Sequence, residues 1–153
     1  MYTGPLYIAS DHAGYQLKKR LIRCLENELN RKVEDMGPFE YDPEDDFPDY
    51  IIPTAQKAVA TNGRAIMLCG SGIGACIAAN KVKGMNAALA YNIESARLSR
   101  EHNDANGLCL PARVLTEDHA MAMVKRWLET EFVSGKYERR NKKIEEFEKN
   151  ILA

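Results

Sequence analysis

Short apolar runs alternate with longer amphipathic stretches along the chain. Four runs rich in aliphatic residues predict buried β-strands, and a weaker run ending at Gly37 predicts a fifth. These strands are predicted over residues 6–9, 32–36, 64–68, 87–90 and 107–110. Strands that alternate with helices are typical of βα units around a parallel sheet, so the pattern predicts an α/β protein.

The segments between the predicted strands have apolar residues at helical spacing. Over residues 13–30, for example, Leu17, Leu21 and Leu25 recur among Lys, Arg and Glu, which predicts a half-buried helix. The other predicted helices cover residues 50–61, from the glycines at 70–74 to about 82, 94–101, 118–132 and 137–152. With 153 residues, the chain has the usual length of one domain, and we expect a single domain over residues 1–153.

Composition limits the partners that the protein can have. The chain has 21 basic and 22 acidic side chains, so its near-zero net charge gives no general attraction to nucleic acid or to an anionic membrane. No apolar run approaches the roughly 20 residues that cross a bilayer. Cysteines at 24, 69, 76 and 109 form no Cys-x-x-Cys pair, which indicates reduced thiols. We expect a cytoplasmic protein with a small-molecule partner.

Chemically reactive side chains follow three of the predicted strands. They lie in residues 10–14, 69–74 and 111–113. In open parallel sheets, ligands bind beyond the carboxyl ends of the strands. This placement predicts one shared site.

The glycine loop over residues 69–74 has the sequence Cys-Gly-Ser-Gly-Ile-Gly. Its glycines permit a tight turn that gathers N–H groups beside the positive end of the next helix, so it predicts an anion site. The dinucleotide fingerprint has another spacing and lies on the first βα turn, and the nucleotide phosphate loop needs a Lys that is absent after Gly74. Isolated thiols do not favour zinc. An anion-binding loop with a thiol remains.

Cys69 has two interpretations from the sequence. A thiol at a helix N-terminus has a pKa below the usual value of about 8.5 and serves as a base or nucleophile. Alternatively, Cys69 packs as a small apolar residue, as Cys24 does on its helix. His12 follows Asp11 at a strand end and is predicted to face the loop, whereas His102 lies in a polar run that equally fits a solvated helix end.

Three cations are candidates for binding an anion. Lys136 and Arg140 are four residues apart on the last predicted helix, so they share one face and suit a phosphate. The alternative is a solvated basic face, because other basic residues crowd the same segment. Arg113, which stands alone at a strand end, is the better isolated candidate.

Four separated segments together resemble one family. Residues 10–14, 69–74, 78–81 and 99–104 are similar to ribose-5-phosphate isomerase type B and to the related galactose-6-phosphate isomerase subunits. The resemblance runs through Arg140. It implies a Rossmann-like three-layer αβα sandwich with a five-stranded parallel sheet and an extra C-terminal helix. It also implies aldose–ketose isomerisation of a phosphorylated sugar without a metal or cofactor, in a homodimer or dimer of dimers with sites built from two subunits.

The resemblance also implies a role for each matching residue. Cys69 resembles the base that moves a proton between C2 and C1, Ser71 resembles the hydroxyl that assists the enediolate, and His102 resembles the acid/base that opens the furanose ring. The backbone of Gly70, Gly72, Ile73 and Gly74 resembles the anion hole. Asp11 and Asn103 resemble residues that hold sugar oxygens, and the phosphate grip corresponds to His12, Arg113, Lys136 and Arg140.

Two positions differ among relatives of this kind. Lys136 stands where Arg is common, which replaces a bidentate fork by a point charge. Ala75 stands where some relatives have a Glu base, so Cys69 places the chain with the thiol-base branch. Isomerisation of a six-carbon 6-phosphate, such as that of allose or galactose, is the nearest alternative, and a non-catalytic sugar-phosphate or nucleotide-binding module is another. The acidic loop over residues 40–49 either borders the sugar or forms a turn with a helix cap.

Overall fold

The computed structural model describes residues 1–151 and has a parallel sheet of five strands. The strands are β1 (Leu6–Ser10), β2 (Glu34–Asp35), β3 (Arg64–Cys69), β4 (Ala87–Leu89) and β5 (Gly107–Pro111). Their order across the sheet is β2-β1-β3-β5-β4. The predicted five-stranded parallel sheet is therefore confirmed, and β1, β3 and β5 lie side by side at its centre.

Helices cover both faces of this sheet. They are α1 (Tyr15–Asn27), α2 (Pro48–Ala60), α3 (Ile73–Asn80), α4 (Ile93–Asn103), α5 (Glu117–Glu129) and α6 (Lys136–Ile151). Apolar residues of α1, α4 and α5 pack on one face, and those of α2 and α3 pack on the other. This confirms the three-layer αβα sandwich. The extra C-terminal helix, α6, contacts α4 and has no buried residue; the predicted end of this helix at residue 152 lies outside the described residues.

The central strand β3 shows how the two faces are separated. Ile66 and Leu68 contribute to the core under α1, α4 and α5, whereas Met67 and Cys69 contribute to the core under α2 and α3. Successive side chains of a strand point to opposite faces, so this alternation follows from the strand itself. Cys69 thus ends β3 with its side chain toward α2 and α3.

The predicted helix over residues 13–30 is shorter in the structure. A 3-10 turn at His12–Gly14 precedes α1, and the Asp11 side chain accepts a hydrogen bond from the Gly14 N–H at 3.2 Å. Asn30 has a φ of 48°, a left-handed conformation that ends a helix. Within residues 1–151, no helix is long and apolar enough to cross a membrane.

Candidate active site

Three chain segments meet at the carboxyl edge of β1, β3 and β5. The Asp11 N–H donates to the Leu68 carbonyl at 3.2 Å, and the Arg113 N–H donates to the Gly70 carbonyl at 3.0 Å. These backbone bonds continue the pairing of adjacent strands beyond their ends. The sheet therefore brings together the predicted residues Asp11, His12, 69–74 and Arg113, which we call the loop cluster.

Local contacts hold the glycine loop in one conformation. Gly72 has a φ of 75°, a left-handed conformation that favours glycine. A Cβ there would also lie 2.6 Å from the Leu89 Cδ1 atom, so both the backbone and the available space exclude a side chain. The Ser71 Oγ accepts a hydrogen bond from the Ile73 N–H at 3.2 Å. The Tyr91 hydroxyl donates to the Ser71 carbonyl at 2.7 Å. The loop is therefore preorganised without a ligand.

Several N–H groups of this loop are free to bind an anion. Within residues 1–151, the backbone N–H groups of Gly70, Ser71, Gly72 and Gly74 donate to no carbonyl or side chain. They lie at the N-terminus of α3, where the unpaired donors of a helix favour negative charge. The loop therefore has the chemistry of an anion hole.

Cys69 is buried at the start of this loop. Its exposed fraction is 4%, and it packs in the apolar cluster with Met67, Ala75 and Cys109. This burial agrees with the packing interpretation of the sequence. The free N–H groups on the following residues agree with the reactive one, so the role of the thiol stays a prediction.

A second thiol, Cys76, lies on α3 behind the loop. The neighbouring Cys109 thiol lowers the pKa of Cys76 to about 7, against the opposing effect of burial, and the Leu89 backbone and the Asn80 amide lower it further. The same contact and burial raise the pKa of Cys109. The sequence did not indicate this thiol pair, because β5 and α3 are distant along the chain.

His12 contacts a carboxylate that the sequence did not single out. The Asp45 Oδ1 atom lies 2.7 Å from the His12 Nδ1 and also accepts the His12 backbone N–H at 3.0 Å. Ligand-type atoms of Asp11, His12 and Asp45 lie within 4.8 Å of one another. The only signal in the sequence was the acidic loop over residues 40–49.

The acidic loop also supplies Phe47, which packs on the glycine loop. A Cβ at Gly74 would lie 2.7 Å from the Phe47 Cζ atom, so the aromatic ring touches the loop backbone. Phe47 is the N-cap residue of α2 and makes no side-chain capping bond. On the other side, a Cβ at Gly70 would lie 2.8 Å from the Arg113 Nη1 atom. The exposed Arg113 guanidinium therefore lies against the loop backbone.

The remaining predicted residues, His102, Asn103, Lys136 and Arg140, form a separate group, which we call the helix cluster. His102 stacks on Tyr137 with ring centroids 4.0 Å apart and an angle of 10° between the planes. The Lys136 Nζ and Arg140 Cζ atoms lie 5.2 Å and 5.9 Å from the centre of the Tyr137 ring. Tyr137 thus organises this cluster, although the sequence analysis did not single it out.

The two clusters are not joined within one chain. Over the described part of the chain, no hydrogen bond or ion pair links a residue of the loop cluster to one of the helix cluster. Asn103 instead borders a groove of about 430 Å³ that Asn80, Asn141 and Ile144 also line. His119 lies in the first turn of α5, where its N–H donates to the Thr116 Oγ1 at 3.2 Å.

The fold and the loop cluster define an α/β protein that, within residues 1–151, presents N–H groups without an acceptor at the carboxyl edge of its sheet. The family model described as Ribose/Galactose Isomerase matches residues 6–144. A probable ribose-5-phosphate isomerase B of Mycoplasma pneumoniae is 43% identical over 146 residues, which are 95% of each chain. The chain therefore belongs to the ribose/galactose isomerase family.

Solved structures agree with this assignment. The crystal structure of ribose-5-phosphate isomerase B from Mycoplasma genitalium with bound ribulose-5-phosphate has a TM-score of 0.92 at 38% identity, covering 97% of this chain and 99% of the other. The ribose-5-phosphate isomerase B of Clostridium thermocellum has a TM-score of 0.90 at 42% identity, covering 96% and 99%. The suspected family is confirmed.

Proposed function

We propose that the chain is an aldose–ketose isomerase that interconverts D-ribose 5-phosphate and D-ribulose 5-phosphate without a metal or cofactor. The observation that carries this proposal is the set of N–H groups on Gly70, Ser71, Gly72 and Gly74 that have no acceptor within residues 1–151, next to the Cys69 thiol. The family and the ribulose-5-phosphate in the Mycoplasma genitalium enzyme support the same substrate.

The proposed reaction begins with the sugar ring. His102 acts as the acid/base that moves the proton between the ring oxygen and the C1 hydroxyl, so that the furanose opens to the aldehyde. The Cys69 thiolate then removes the proton from C2. The electron pair of that C–H bond forms the C1–C2 double bond, and the carbonyl electrons move to O1. The O2 proton then moves to O1, which becomes the C1 hydroxyl. The electrons of the O2–H bond form the C2 ketone, and the C1–C2 double bond takes back at C1 the proton that the thiol returns.

The glycine loop stabilises the charge that this step creates. Negative charge grows on the sugar oxygens in the enediolate, and preorganised N–H donors aimed at such an oxygen are usually the largest single contribution to catalysis. The Ser71 oxygen accepts the Ile73 N–H, which leaves its own hydrogen free to donate to the enediolate. Loop and thiol together perform the proton transfer.

Binding of the substrate is assigned to residues of both clusters. We propose that Asp11 and Asn103 hold sugar hydroxyls, and that the phosphate is gripped by His12, Arg113, Lys136 and Arg140. Lys136 contributes a point charge in place of a fork. This assignment requires the helix cluster to approach the loop cluster.

A second copy of the chain brings the two clusters together in our proposal. α6 exposes Ile144, Phe147 and Ile151 by 57%, 63% and 60%, and α3 exposes Ile73 and Ile77 by 49% and 59%. Such apolar surface indicates an interface. We propose a cytoplasmic homodimer, alone or paired into a dimer of dimers, in which each single-domain chain, residues 1–153, supplies its loop cluster to one site and its helix cluster to the other.

Mixing two inactive variants tests the shared site. We expect Cys69→Ala and His102→Asn each to turn over ribose 5-phosphate poorly. If the sites are shared, subunit exchange between the variants creates dimers with one intact site, and about a quarter of wild-type activity returns. If each chain forms its own site, the mixture stays as inactive as its components. Light scattering on the same samples measures the oligomeric state.

A panel of aldose phosphates tests the activity and the substrate together. We expect turnover of ribose 5-phosphate and much weaker turnover of allose 6-phosphate and galactose 6-phosphate. Faster turnover of a six-carbon substrate would favour the alternative isomerase. Binding of every sugar phosphate without any turnover would favour the non-catalytic module and overturn the proposal.

A further inference from the structure

The Asp45 side chain directs all of its hydrogen bonds to His12. Its Oδ1 atom accepts the His12 backbone N–H at 3.0 Å and lies 2.7 Å from the His12 Nδ1. The side chain is only 3% exposed, and within residues 1–151 its Oδ2 atom is buried without a donor. A buried carboxylate oxygen that lacks a donor is costly. Within residues 1–151, His12 is therefore the only hydrogen-bond partner of the Asp45 side chain.

This contact determines which ring nitrogen of His12 carries the hydrogen. An ionised carboxylate can only accept, so the hydrogen of the contact lies on the His12 Nδ1. Nε2 is then the nitrogen that faces a ligand, and it donates to a phosphate oxygen in the protonated ring, in which both nitrogens carry a hydrogen. The imidazole is 26% exposed, so a ligand can reach it from solvent.

The loop around Asp45 does not need the Asp45 side chain for its own conformation. The Asp42 side chain accepts the Glu44 N–H at 2.9 Å, and the Asp42 carbonyl accepts the Asp45 N–H at 3.2 Å. These bonds close the turn locally. The Asp45 carboxylate is therefore available to act on His12 alone.

A second carboxylate fixes the backbone on which His12 stands. Asp11 accepts the Gly14 N–H and so closes the 3-10 turn that starts at His12. Asp11 orients the turn, whereas Asp45 orients the ring. Two separate contacts thus hold one imidazole at the carboxyl end of β1.

We propose that Asp45 is a positioning residue of the phosphate grip, which holds His12 with its Nε2 toward the phosphate of the substrate and does not touch the substrate itself. This inference rests on the proposed function, because it assigns the phosphate to His12. Asp45 should affect substrate binding only by orienting His12, whereas a general effect of charge would not depend on His12.

A double-mutant cycle with steady-state kinetics tests whether Asp45 acts through His12. We expect Asp45→Ala to raise KM for ribose 5-phosphate about tenfold with kcat nearly unchanged, and Asp45→Asn, which keeps an acceptor, to raise it less. Asp42→Asn removes the same charge from the same loop and should leave KM unchanged. On a His12→Gln background, Asp45→Ala should add almost nothing. A full additional rise in KM would overturn the proposal.

Nitrogen NMR of the imidazoles tests the same contact without any turnover. The chain has three histidines, and His12→Gln assigns the signals of His12. We expect the wild-type ring to carry its hydrogen on Nδ1 and the Asp45→Ala ring to lose that preference, at an unchanged thermal unfolding midpoint. An unchanged tautomer would overturn the proposal. Should Asp45→Ala fail to fold, Asp45→Asn decides, because a weakened Nδ1–H signal and a raised KM are both expected of it.

The two readouts separate failure of this inference from failure of the proposed function. A wild-type protein that turns over no ribose 5-phosphate refutes the function, and the tautomer measurement still decides whether Asp45 orients His12. A wild-type protein that is active, with an Asp45→Ala variant equal to it in KM and tautomer, refutes the inference alone.

Discussion

The loop cluster and the helix cluster are held by different means. The loop cluster lies on the ends of three adjacent strands, and backbone hydrogen bonds continue from the strands into it. The helix cluster depends on the stacking of His102 against Tyr137 and on one bond from the Asn141 amide to the His102 carbonyl, at 3.2 Å. Its helix α6 has no buried residue. Backbone pairing with the central strands anchors one cluster, and contacts between surface side chains hold the other.

This difference indicates a division of tasks. An anion hole must hold its donors in fixed positions before the charge appears, and a sheet edge meets that requirement. In the proposed function, the helix cluster opens the ring and helps to bind the phosphate, and the proposed second subunit orders it. We therefore expect changes at Cys69 and in the glycine loop to abolish chemistry. Changes at His12 and Arg113 should affect phosphate binding, and changes in the helix cluster should affect ring opening and binding.

Replacing Cys69 by Ala should have the largest effect. We expect kcat to fall by about a thousandfold, because the base that removes the C2 proton is lost, while the N–H groups of the loop stay in place. Steady-state kinetics and calorimetric binding of ribulose 5-phosphate measure the two quantities. Cys24→Ala, which removes a partly buried thiol on α1, is the matched control. Unchanged turnover in Cys69→Ala would leave only the packing role of this thiol.

Replacing His102 by Asn should affect the two directions of the reaction differently. With ribose 5-phosphate, we expect a rate about a hundredfold lower, and at high enzyme concentration the rate should become independent of enzyme, because spontaneous ring opening limits it. With ribulose 5-phosphate, which needs no ring opening, the initial rate should stay proportional to enzyme. Progress curves at several enzyme concentrations measure this. The same proportionality in both directions would argue against ring opening by His102.

Changes at Lys136 should have a moderate effect on binding. We expect Lys136→Ala to raise KM severalfold, and Lys136→Arg to lower it, because a guanidinium binds phosphate through two parallel hydrogen bonds. Lys143→Ala, an exposed residue of the same helix, serves as the control for a merely basic surface. Equal changes in KM for Lys136→Ala and Lys143→Ala would favour the solvated basic face.

Thiol labelling compares the pKa of Cys76 with that of Cys24 and has little effect on the fold. Because the pKa of Cys76 is lowered to about 7, its thiolate is present above that pH, and alkylation by iodoacetamide should rise through pH 7. Burial and Glu28 raise the pKa of Cys24, so its labelling should rise only at distinctly higher pH. Peptide mass mapping across a pH series measures both. Equal labelling of Cys76 and Cys24 at pH 7 would contradict the lowered pKa of Cys76.

Local patterns predicted much of the fold and part of the site. The apolar run over residues 64–68 marked β3, and the glycines after it marked the anion loop, because both features depend on neighbouring residues. The 3-10 turn before α1 was not predicted, since it depends on the contact between Asp11 and Gly14. The capping role suggested for the acidic loop was also not found, because Phe47 occupies the N-cap of α2.

The sequence by itself determined the order of strands and helices, the loop that gathers N–H groups and the presence of a thiol beside it. Only the tertiary structure decided that β1, β3 and β5 are neighbours, that Asp45 meets His12, and that Tyr137 stacks on His102. The physical reason is the range of the interactions. Hydrogen bonds along a helix and side-chain alternation along a strand act over a few residues, whereas contacts between distant residues depend on how the whole chain packs.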